Sequence, residues 1–78
     1  MRNVKVLGSG CANCKRLEES VRRVSAKSGI GTEIEKVTDF AEIMGWGVMA
    51  TPGLVVDGKV VSAGRIPTEK EIEGWLKD

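Results

Sequence analysis

Val4-Lys5-Val6-Leu7 alternates apolar and polar positions as a short β-rich run and ends at Gly8-Ser9-Gly10, a loop by composition. Beyond it the apolar spacing changes. Cys14, Leu17, Val21, Val24 and Ser28 recur at intervals of three and four, which places them on one stripe of a helix. Lys15, Arg16, Glu18, Glu19, Arg22, Arg23 and Lys27 fall on the opposite face. Glu18–Arg22 and Glu19–Arg23 stand four apart with the acid first, the favourable orientation for an ion pair, and Gly29 supplies a stop. Thr32 to Val37 reads as a second strand, polar enough at Glu33, Glu35 and Lys36 to lie at a sheet edge.

Asp39, followed three residues later by Glu42, is a helix N-terminal signal, and Phe40, Ile43 and Met44 share one face of the helix it opens. Gly45 and Gly47 keep that helix to about two turns. Val48-Met49-Ala50-Thr51-Pro52-Gly53 then leads into a strand, Leu54-Val55-Val56, which Asp57-Gly58 joins to Lys59-Val60-Val61 as a two-residue hairpin. Thr68 and Glu71 form a capping box, after which Ile72, Trp75 and Leu76 mark the buried face of a C-terminal helix. The order is β-α-β-α-β-β-α. The first two strands flank a helix and are expected to be parallel through a right-handed crossover, whereas the hairpin strands must be antiparallel. An α/β fold with a four-stranded mixed sheet and helices on both faces follows.

With 78 residues the chain has room for a single domain, 1–78, with a core near the lower limit of self-sufficiency. Twelve Lys and Arg against 11 Asp and Glu leave a net charge of +1, so there is no basic field for nucleic acid and no acidic field for cationic partners. No apolar run approaches the roughly 20 residues of a membrane-spanning helix, and the N-terminus lacks the apolar stretch of a signal peptide. The expectation is a soluble, cytoplasmic monomer that binds neither nucleic acid nor membrane.

The chemistry lies in two cysteines, Cys11 and Cys14. Random placement gives a spacing of three about one time in 40. A pair so close cannot clamp a long loop, so stability is not its purpose. The motif Gly10-Cys11-Ala12-Asn13-Cys14 sits where the first strand hands over to the first helix. Unpaired N–H groups and the positive end of the macrodipole at a helix start stabilise a thiolate, which favours Cys11 as the nucleophile. Cys14, a turn deeper on the apolar stripe, remains a thiol until it resolves a mixed disulfide. Metal carriage is the rival reading. Two thiolates can hold Cu(I), whereas a closed zinc site needs four ligands and the chain has no His and no further Cys.

The same residues carry a resemblance. From Val4-Lys5-Val6-Leu7 and Gly10-Cys11-Ala12-Asn13-Cys14 through Val48-Met49-Ala50-Thr51-Pro52, Val55-Val56-Asp57-Gly58-Lys59-Val60 and Gly64-Arg65-Ile66-Pro67, the chain resembles a thioredoxin-like, glutaredoxin-like family. Its members are the small archaeal and bacterial proteins called redox-active disulfide protein 2. The resemblance implies a minimal thioredoxin fold and a dithiol–disulfide oxidoreductase, an electron carrier in cell redox homeostasis. It further implies that Pro52 is cis and packs against the disulfide, while Thr51 offers its backbone to an extended substrate. The implied partners are protein disulfides and a separate thioredoxin-reductase-type enzyme, NADPH- or ferredoxin-linked. No cofactor is expected, since the chain is too short to hold a flavin or nicotinamide domain. The motif departs from thioredoxin itself in having no Trp before Cys11 and Ala12-Asn13 in place of Gly-Pro. No buried acid is identifiable beneath Cys14.

Overall fold

Alternation in the strands decides which side chains meet which helices. In the computed structural model, which describes residues 2–10 and 12–77, the elements are β1 (Arg2–Leu7), α1 (Ala12–Ser28), β2 (Thr32–Val37), α2 (Phe40–Gly45), β3 (Gly53–Val56), β4 (Lys59–Ala63) and α3 (Glu69–Lys77). They form one sheet of order β2-β1-β3-β4. β1 and β2 are parallel, whereas β1–β3 and β3–β4 are antiparallel, so the expected mixed α/β sheet is present. The polar strand β2 lies at an edge, as its composition predicts.

On one face Val4, Val6, Leu54 and Val56 pack against Leu17, Val21 and Val24 of α1 and Ile72 and Leu76 of α3. Trp75 is half-buried against the same cluster. On the other face Leu7, Val37 and Val55 meet Ile43 of α2 and Val48. With six residues, α2 is too short to cover that face, and it buries Ile43 alone. Phe40 and Met44, which share Ile43's apolar face by spacing, are instead 73% and 58% exposed. Where α2 does not reach, Lys5 and Glu35 pair across neighbouring strands at 3.0 Å.

The local signals explain the element ends. Gly29 closes α1 at φ 71°, a conformation that costs a residue with a Cβ. Asp57 and Gly58 turn the hairpin at φ 49° and 83°. The Asp57 carboxylate accepts from the Asn3 N–H at 2.9 Å and the Arg2 guanidinium at 2.7 Å, which ties the turn back to β1. Of the two ion pairs expected along α1, Glu18–Arg22 forms at 2.8 Å, but Arg23 reaches across to Glu69 of α3 at 2.7 Å. A tertiary partner has replaced the local one.

The capping box before α3 is complete: the Glu71 N–H donates to Thr68 Oγ1 at 3.2 Å, and the Thr68 N–H donates to Glu71 Oε1 at 3.0 Å. Arg65 also grips the Glu71 carboxylate, at 3.0 and 2.8 Å. The Arg65 hydrogen bonds, followed by the Thr68 N–H, hold the Glu71 pKa down at about 2, from an ordinary 4.5. A carboxyl depressed in the folded state contributes stability above its unfolded pKa and loses it as pH falls through the folded value. Glu71→Gln is therefore expected to lower the thermal midpoint at pH near 6, with the gap from wild type closing as pH falls from about 4.5 to about 2. Thermal melts followed by circular dichroism across that range check it. A gap independent of pH would show that the charge on Glu71 contributes nothing.

Candidate active site

The β1–β3 register sets Leu7 opposite Gly53, so Gly8 and Pro52, the next residue outward on each side, meet at the end of the sheet where α1 begins. Gly8 is buried and donates its N–H to the Val37 carbonyl at 2.9 Å. A Cβ placed on Gly8 would collide with Cys14 Sγ, while lying 3.2 Å from Cys14 Cβ and 3.8 Å from Thr51 Cβ. The sulfur of Cys14 thus fills the space a side chain at position 8 would take, and Thr51 borders the same point. Cys14 is 5% exposed and heads the buried stripe continued by Leu17, Val21 and Val24. The first turn of α1 carries no acidic residue, so nothing in it opposes the positive end of the helix.

The Thr51–Pro52 bond is cis. Pro52 is buried and Thr51 exposed, and the Pro52 carbonyl accepts the Gly64 N–H at 2.9 Å. The structure therefore brings together three residues singled out in the sequence: Cys14, Thr51 and Pro52. The fourth, Cys11, lies outside the described residues. Residues 2–77 match the family model of the thioredoxin domain. The chain belongs to the thioredoxin family. It is 38% identical to a thioredoxin of Methanothermobacter thermautotrophicus over 76 residues, covering 97% of this chain and 99% of that one. It is 40% identical to a thioredoxin of Methanocaldococcus jannaschii over 74 residues, covering 95% of this chain and 85% of the relative. Thioredoxins are thiol–disulfide oxidoreductases, and the chain is an enzyme of that class.

Two residues at this thioredoxin site escape the sequence reading. Gly8 reads as a loop residue by composition, yet its missing side chain is what admits the Cys14 sulfur. Glu18 reads as part of the solvent face of the helix, yet its side chain is only 14% exposed. With Gly8, Cys14, Lys15 and Lys36 it lines a cavity of about 100 Å³. Its position four residues after Cys14 was the available signal, because side chains so spaced are neighbours on a helix. Lys15 and Arg16, by contrast, are exposed, as a solvated face requires.

Proposed function

We propose that the chain reduces disulfides in other proteins through Cys11 and Cys14. The Cys11 thiolate attacks one sulfur of a client disulfide, and the other client sulfur leaves as a thiolate and takes up a proton. Cys14 then gives up its proton and attacks the Cys11 sulfur. That step releases the second client thiol and leaves an intramolecular disulfide on the chain. Two electrons have passed to the client. A separate thioredoxin-reductase-type enzyme, NADPH- or ferredoxin-linked, returns two electrons to the pair. The compartment is the reducing cytoplasm, where a dithiol of this kind is catalytic rather than structural.

The observation that carries this reading is the convergence of Gly8, Cys14 and Thr51 at one point of the sheet's end. Burial suits Cys14 to the resolving role, because a desolvated thiolate is disfavoured until its target is in contact. The exposed Thr51 leaves a backbone edge for an extended client beside it. Family membership over nearly the whole chain supports the same reaction class.

The test is insulin reduction driven by dithiothreitol, run beside Cu(I) and Zn(II) titrations of the reduced protein. The expected result is faster precipitation of the released insulin chain, abolished in Cys11→Ser. Tight stoichiometric metal binding without disulfide turnover would replace this reading with metal carriage.

A further inference from the structure

The cavity beside Cys14 holds a charge pattern that the exchange chemistry above does not use. Glu18 Oε2 accepts from Arg22 Nη2 at 2.8 Å and from Arg22 Nε at 3.1 Å, and Glu18 Oε1 lies 3.6 Å from Lys36 Nζ. Lys36 comes from β2, so this pair joins the helix that carries Cys14 to the edge of the sheet. Among the described residues that line the cavity, the charged groups are Lys15 and Glu18 from α1 and Lys36 from β2. β1 contributes only Val6, and the segment after it Gly8 and Gly10.

The Arg22 hydrogen bonds, then the Lys36 charge, hold the Glu18 carboxyl below its ordinary range against the opposing effect of burial. Glu18 is therefore anionic at neutral pH. An anion bordering the cavity disfavours a second anion at Cys14, and a partly dry site screens that repulsion less than water does. Lys36 and Arg22, both paired with Glu18, act in the opposite sense and offset part of its charge.

We propose that Glu18 sets the ionisation of Cys14 in the reduced protein, keeping it a thiol, and that Lys36 is the countercharge that limits the effect. Glu18 is a positioning residue here, acting through Cys14 without touching the client. The inference rests on Cys14 being the buried thiol of the exchanging pair. Its consequence is a division of labour: Cys14 does not compete with Cys11 for incoming disulfides, and it resolves at a rate governed by the charge beside it.

The experiment uses reduced Cys11→Ser, in which Cys14 is the sole cysteine, and follows the ultraviolet absorbance of its thiolate against pH. Adding Glu18→Gln is expected to lower the Cys14 midpoint by about one unit. Alkylation by iodoacetamide at neutral pH then rises about threefold, since lower basicity offsets part of the tenfold gain in thiolate. Glu18→Asp, which keeps the charge, restores a midpoint close to that of the parent. Lys36→Met moves it upward and reports independently should Glu18→Gln not fold. A midpoint that is unchanged or raised by Glu18→Gln, or lowered by Lys36→Met, overturns the inference. Because this readout involves no client, it is separate from the insulin assay that decides the oxidoreductase reading.

Discussion

Gly8→Ala is expected to cost about 100-fold in insulin reduction while leaving a folded protein. The added methyl would overlap Cys14 Sγ, and at 3.2 Å from Cys14 Cβ it is also crowded by the root of that side chain. Cys14 is disulfide-bonded in the structure, so the least costly relief is rotation of its side chain once the protein is reduced, which carries the sulfur away from its present position. Overpacking of this kind costs about 1–3 kcal/mol, and relief by movement of one side chain puts Gly8→Ala near the low end. A domain with an ordinary stability of about 5–15 kcal/mol tolerates that loss. Exchange does not tolerate it, because displacing a reacting atom by about 1 Å can cost on the order of 100-fold in rate. Insulin reduction and a thermal melt on the same preparation check both halves. Activity within twofold of wild type, with the fold intact, would show that the sulfur's position against Gly8 is immaterial.

The contrast between Gly8 and its surroundings shows what the chain discloses in its order of residues. Short-range signals were legible. The Leu17, Val21 and Val24 stripe is buried, the Asp57-Gly58 turn closes a hairpin, and Thr68 and Glu71 cap α3 as their spacing predicts. Each of these depends on residues a few positions apart, where helix and strand periodicity govern. What was hidden depends on register. Gly8 meets Cys14 and Thr51 only because Leu7 stands opposite Gly53 across 46 positions of chain. Glu18 becomes part of the site only when Lys36 is laid beside it by the parallel pairing of β1 and β2. Arg23 leaves its local partner for Glu69, and Phe40 and Met44 stay exposed because α2 has only six residues. Periodicity locates a stripe, but it does not say which charged residue at the stripe's margin a neighbouring strand will cover.

The largest effect is reserved for the two cysteines, and it separates their roles rather than merely confirming that both matter. Cys14→Ser removes the resolving group and leaves the attacking one. A mixed disulfide between Cys11 and a client should then accumulate, visible as a higher-mass band on non-reducing gels that dithiothreitol collapses. Cys11→Ser should be inactive and trap nothing, because Cys14 heads the buried stripe of α1 and burial disfavours its thiolate. The same asymmetry predicts that limited alkylation of the reduced wild type modifies Cys11 first, at a pH well below the roughly 8.5 at which an ordinary thiol ionises. Peptide mapping after brief iodoacetamide treatment reads this directly. Faster labelling of Cys14, or client trapping by Cys11→Ser, would reverse the assignment of nucleophile and resolver. The charge on Glu18 would then border the attacking thiol, where it would slow the first step of exchange instead of the second.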